Sequence, residues 1–153
     1  MPRAGEPLGT IGHWITTRLA TGGALLEPAS IATLSLGGIT ALINTQAERD
    51  DSALVDGFVY VWNGVADDGL AKPVSWFETS IQFGLSVLAR PGQRVYVYCG
   101  AGSNRGPSTA YAILLAMGLE QNLALDLILA GRPGAQVAYR GDAERAVVEL
   151  GYA

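Results

Sequence analysis

"VYVYCGAGSNRGPSTAYAILLAMG", residues 95–118, joins an apolar run to the only cysteine of the chain, a glycine-rich turn with one arginine, and a helix-like stretch. A free cysteine more often behaves as a small buried hydrophobe than as a reagent. Its surroundings here argue otherwise. Ligands of α/β sheets bind beyond the carboxyl ends of strands, and "VYVYC" ends there with Cys99. Gly100, Gly102 and Gly106 allow a tight turn whose N–H groups face inward. Gly106 suits a helix N-cap and Pro107 the first helical position, so a helix amino end aims its partial positive charge at the same point. Arg105, six residues after Cys99, can curl back with a planar fork suited to two phosphate oxygens. Such surroundings lower a thiol pKa from ~8.5 into the range of roughly 3.5–7.5. A thiolate nucleophile beneath a phosphate cradle is the expectation.

Three other readings of the loop are weaker. A purely structural turn with a buried thiol leaves the convergence of strand, glycines, arginine and helix start without a reason. "GAGSNRG" is one residue too long for the G-x-G-x-x-G of a dinucleotide site, and no βα unit with a ribose-binding acid follows. A nucleotide P-loop would need Gly-Lys-Ser/Thr, which is missing.

Composition is compatible with a catalytic domain of this size. The 153 residues suit one domain with a real core; 49% are apolar and 16% charged, which excludes a disordered chain. One cysteine excludes an internal disulfide and a cysteine-based zinc site, and His13, the only histidine, excludes a histidine-rich metal centre. No metal and no cofactor are expected. The first residues lack a signal-peptide pattern, and no run approaches the ~18 apolar residues of a membrane span, so a cytoplasmic protein is expected. The net charge of −4 argues against nucleic-acid or anionic-membrane partners. Lys72, the only lysine, reads as a compositional bias.

Along the chain, residues 1–12 read as a loose N-terminal segment and 13–153 as a single domain. "WITTRLATGG" reads as one strand ending at Gly22 and Gly23. A helix is expected from Pro28 to the glycine pair at 37–38. "ITALINT" from Ile39 and "FVYVW" at 58–62 are strands. Helical spacing of Trp76, Phe77, Ile81, Leu85 and Leu88 predicts a helix from Pro73 to Ala89. Further helices are expected at 107–117, 120–130 and 138–150. Alternating strands and helices imply an α/β fold: a central, mainly parallel sheet of about four to five strands, flanked by helices on both faces.

With its cysteine, five intervening residues and arginine, the loop resembles the signature of the cysteine-dependent protein phosphatases, specifically the compact dual-specificity class. Cys99, Gly102 and Arg105 match that signature within "CGAGSNRGPST". "LGGITALIN", "DDG", "WF" and "AGRPGAQ" lie where such proteins have related segments, so the resemblance covers most of the chain. It implies a two-step phosphoryl transfer in which Cys99 forms a phosphocysteine. Arg105 and the backbone of Gly100, Ala101, Gly102, Ser103, Asn104 and Arg105, with Gly106 closing the loop, would hold the equatorial oxygens. An acid on a neighbouring loop would protonate the leaving oxygen and then activate water. Asp67 and Asp68, 32 and 31 residues before Cys99, match the family spacing for that acid. Trp76 and Phe77, nine residues on, favour Asp67, with Asp68 the alternative. Gln136 lies where related enzymes position water.

Two positions depart from the pattern. Tyr98 replaces the usual histidine before the cysteine, and Gly106 replaces the serine or threonine that helps expel the sulfur. Ser108 and Thr109 are the nearest hydroxyl-bearing substitutes. The expected substrate is a phosphorylated protein or a small phosphomonoester, with phosphotyrosine first. "GAGSN" offers no lysine for a polyanion such as an inositol phosphate. A catalytically weak phosphate-binding module is the alternative. A rhodanese-like sulfurtransferase ranks third, because it leaves the acidic loop unexplained.

Overall fold

The computed structural model describes all 153 residues. In chain order the elements are β1 (Pro7–Leu8), β2 (Gly12–Trp14), β3 (Leu19–Gly22), α1 (Pro28–Leu36), β4 (Ala41–Gln46), β5 (Val59–Val65), α2 (Val74–Leu88), β6 (Val95–Tyr98), α3 (Arg105–Ala116), α4 (Gln121–Gly131) and α5 (Arg140–Glu149). They form one mixed sheet in the order β1-β2-β3-β6-β4-β5. The central pairings β3–β6, β6–β4 and β4–β5 are parallel, as the alternation of strands and helices requires.

Strand period 2 divides the core in two. Val95 and Val97 of β6 and Ala41 and Ile43 of β4 face a large core built with α2, α3, α4 and α5. Tyr96 and Tyr98 of β6 and Leu42 of β4 face the opposite side, where Leu34 of α1 meets Leu8, Trp14 and Leu25. Helices therefore cover both faces. The sequence of α3, "AYAILLA" after its first turn, is apolar all round, and the helix is buried through Leu115 beneath the sheet. No helix is long and apolar enough to cross a membrane.

Three expectations need correction. The sheet has six strands, because part of the supposedly loose terminus pairs: Pro7 lies opposite His13 and Leu8 opposite Gly12. These strands are two and three residues long and lie among glycines at 5, 9 and 12, too short to show any periodicity. "WITTRLATGG" is not one strand. It breaks between Trp14 and Leu19, where Thr16 Oγ1 accepts from the N–H groups of Arg18 (3.2 Å) and Leu19 (3.1 Å) and closes the antiparallel turn. The helix after the cysteine loop begins at Arg105 with Asn104 as its cap, so Gly106 and Pro107 lie inside the first turn.

Candidate active site

Cys99 directly follows β6, at the carboxyl edge of the parallel strands, and is 2% exposed. Its N–H donates to the Gly22 carbonyl of β3 at 3.3 Å. The next four carbonyls are held from outside the loop. Gly100 O accepts from Ala24 N–H (3.1 Å), and Ser103 O accepts from the N–H groups of Gln136 (2.9 Å) and Val137 (3.4 Å). Between them, Arg132 donates from Nη2 to Ala101 O (3.3 Å) and from Nε to Gly102 O (3.2 Å). None of the N–H groups from Gly100 to Asn104 donates a hydrogen bond within the protein. A row of unpaired amides around a thiol is what an anion site requires.

Glycine is obligatory at Gly102. Its φ is +76°, and a Cβ there would stand 2.6 Å from Gly22 C and 2.8 Å from Gly23 N. Arg132 is steadied by its third nitrogen, Nη1, which donates to Nδ1 of His13 at 2.9 Å. Burial and, second, the Arg132 charge push the His13 pKa down, so the ring stays neutral and can accept.

Arg105 opens α3 and is almost buried. Its guanidinium is already gripped: Nη1 and Nη2 donate to the two carboxylate oxygens of Glu48 at 2.6 and 3.0 Å, and Nη1 also reaches Val65 O at 3.1 Å. This fork holds the Glu48 pKa down at about 2, chiefly through the Arg105 hydrogen bonds, and raises that of Arg105. Nε of Arg105 is buried without a partner. The Nε N–H and the second N–H of Nη2 thus remain for a ligand.

The two aspartates occupy the exposed loop between β5 and α2 and differ in their partners. Asp68 is tied to Lys72, whose Nζ lies 2.6 Å from Oδ1, and it accepts Leu70 N–H at 3.0 Å. The Lys72 hydrogen bond, above all, holds its pKa low. Asp67 Oδ1 instead meets the hydroxyl of Tyr139 at 2.8 Å, and the Asp67 charge contributes to the raised pKa of Arg105. The loop is fixed at its far end by reciprocal bonds: Trp76 Nε1 donates to Asn63 O (2.8 Å), and Asn63 Nδ2 donates to Trp76 O (2.7 Å).

The structure therefore brings Cys99, the 100–106 loop, Arg105 and Asp67 to one edge, with Asp68 turned to Lys72. Gln136 is exposed and joins the loop through its backbone alone; Ala138 N–H adds a 3.3 Å bond to Asn104 Oδ1. Ser108 Oγ is occupied, accepting Tyr139 N–H at 3.2 Å, whereas the Thr109 hydroxyl is buried and unpaired. Gly106 faces Thr21 of β3: a Cβ there would lie 3.1 Å from Thr21 Oγ1 and 3.3 Å from Tyr98 Cα. Tyr98 points away from the loop, donating its hydroxyl to buried Asp51 at 2.8 Å. Asp51 also binds Nε of Arg49 at 2.6 Å, which anchors the segment carrying Glu48.

Sequence reasoning missed Glu48, Arg132, Tyr139 and Lys72. Arg132 stood within the quoted "AGRPGAQ". Lys72, set aside as a compositional matter, had a visible signal: the sole lysine lies four residues after Asp68.

No family model and no curated protein sequence matches the chain. Solved structures do. Human DUSP28 superposes with a TM-score of 0.79 at 17% identity, over 95% of this chain and 99% of that one. PTPMT1 in complex with PI(5)P gives 0.72 at 18% identity, over 91% and 98%. The human tyrosine phosphatase-like serine/threonine/tyrosine-interacting protein gives 0.74 at 17%, over 91% and 97%. The chain has the fold of the cysteine-dependent dual-specificity phosphatases.

Proposed function

We propose that the chain hydrolyses phosphomonoesters through a phosphocysteine intermediate, as a protein-tyrosine or dual-specificity phosphatase. One observation carries this reading: five successive backbone N–H groups and Arg105 Nε are left without protein partners around Cys99. Cys99 Sγ attacks phosphorus, and the P–O bond breaks with its electron pair going to the leaving oxygen. That oxygen takes a proton from Asp67. The loop amides and Arg105 stabilise the charge on the equatorial oxygens. In the second step Asp67 takes a proton from water, whose oxygen attacks phosphorus and releases the Cys99 sulfur; Gln136 orients that water. The substrate is a phosphorylated protein or a small phosphomonoester.

A second reading, a phosphate-binding module with weak turnover, draws support from Gly106, since Thr21 and β6 leave almost no room for a side chain there. The phosphatase-like name of one structural neighbour fits the same idea. The sulfurtransferase reading gains nothing from the site, because Asp67 would have no role in it.

The deciding experiment is a panel of phosphopeptides, aryl phosphates, phosphosugars and a phosphoinositide, assayed with native protein and Cys99→Ser. Turnover in the native protein, unaffected by chelators and abolished in Cys99→Ser with vanadate binding retained, is the expected result. Binding without turnover in both proteins favours the module. Turnover by Cys99→Ser overturns the covalent route.

A further inference from the structure

The acidic loop between β5 and α2 is exposed over residues 66–71, yet it is held from a residue that follows it by about half the chain. Tyr139, in the turn before α5, is 3% exposed and places its hydroxyl between two groups of that loop. The oxygen accepts Gly69 N–H at 3.0 Å and lies 2.8 Å from Asp67 Oδ1. A backbone N–H can only donate, so the single hydroxyl proton is directed to Asp67. The same ring has Lys72 Nζ 4.9 Å from its centroid, and Lys72 N–H donates to Asp142 of α5 at 3.0 Å. On its other side Tyr139 is fixed to α3, through its N–H and Ser108 Oγ. It thus connects the helix that begins with Arg105 to the loop that bears Asp67.

We infer that Tyr139 is a positioning residue for proton transfer: its hydroxyl engages Asp67 Oδ1 and leaves Oδ2 as the oxygen that carries the proton. The inference rests on Asp67 being the acid of the reaction proposed above. A carboxyl group holds its proton on one oxygen. With Oδ1 occupied as an acceptor, that proton resides on Oδ2, from which it passes to the leaving oxygen as the P–O bond breaks. Oδ2 then receives the proton of the attacking water, while Tyr139 donates to Oδ1 in both half-reactions. Tyr139 itself stays protonated, because burial above all, with the Asp67 carboxylate beside it, pushes its pKa up.

The test compares kcat/KM for phenyl phosphate, whose leaving group needs a proton, and dinitrophenyl phosphate, whose leaving group scarcely does. Full-length native protein, Asp67→Asn, Tyr139→Phe and the double variant are assayed. Asp67→Asn is expected to lose far more activity on phenyl phosphate than on the activated ester. Tyr139→Phe keeps the ring beside Lys72 and is expected to show the same selectivity, with a loss on phenyl phosphate of about 10- to 100-fold. In the Asp67→Asn background it should not widen the ratio further. The readout is a ratio of substrates, so a smaller folded fraction leaves it unaltered. Equal losses on both esters, or a native ratio in Tyr139→Phe while Asp67→Asn discriminates, overturn the positioning role alone. An Asp67→Asn variant that does not discriminate removes the acid assignment, and this inference with it.

Discussion

Arg105 is preoriented by a carboxylate that does not use all of its donors. Glu48 accepts one N–H from each terminal nitrogen and leaves Nε free, so the guanidinium plane is set by that carboxylate while an N–H edge stays open. A lysine cannot do both, since it carries a point charge on a flexible stem. Arg105→Lys is therefore expected to cost about 2–4 kcal/mol of transition-state stabilisation, read from kcat/KM on an aryl phosphate. The Glu48 pair also makes stability depend on pH. In the unfolded chain Glu48 protonates near the ordinary 4.5, and in the folded one only at about 2. Its folded pKa is depressed, so its stabilising contribution is complete above about 4.5 and fades as pH falls toward 2. Glu48→Gln should lower the urea midpoint at pH 7, and the gap to the native protein should close near pH 2. Glu48 was illegible in the sequence because it lies 57 residues from Arg105, on a segment whose pose depends on the buried Tyr98–Asp51 bond.

Among elements, α3 shows how a right boundary signal can carry a different cause. Gly106 and Pro107 mark a helix start in the sequence, yet the helix begins one residue before Gly106. Gly106 serves close approach: its α-carbon packs where β3 and β6 leave 3.1–3.3 Å for a Cβ, against Thr21 Oγ1, Tyr98 Cα and Val97 O. Gly106→Ala is thus expected to push the first turn of α3 outward and destabilise by about 1–3 kcal/mol, measured by urea unfolding. Gly106→Ser meets the same wall, so restoring the family's hydroxyl here needs more than one substitution. The helices α1, α2, α4 and α5 were legible because apolar spacing, Pro28 and the glycine stops are local signals. The partners of the acidic loop were not, since Tyr139 and Asp142 lie 70 residues beyond Gly69 and Lys72.

At the scale of the molecule, the N-terminal hairpin belongs to the domain. Leu8 and Trp14 are each 3% exposed, packed with α1 on the face opposite the larger core. A truncation starting at His13 removes β1 and uncovers Trp14. Loss of the buried Leu8 side chain alone costs about 2–5 kcal/mol, and the lowered melting temperature should be seen by calorimetry. The parallel centre of the sheet was readable from β-branched runs, whereas five strand residues among glycines gave no pattern to read. The carbonyls of Gly100, Ala101, Gly102 and Ser103 are bound by Ala24 after β3, by Arg132 at the end of α4 and by Gln136 and Val137 before α5. All peptide bonds here are trans, so each plane points the following N–H opposite to its carbonyl. Three distant parts of the chain therefore set the facing of the amides of residues 101–104. The polarity of the loop is settled when the chain folds, and in the proposed reaction an arriving oxyanion meets dipoles that need not rotate.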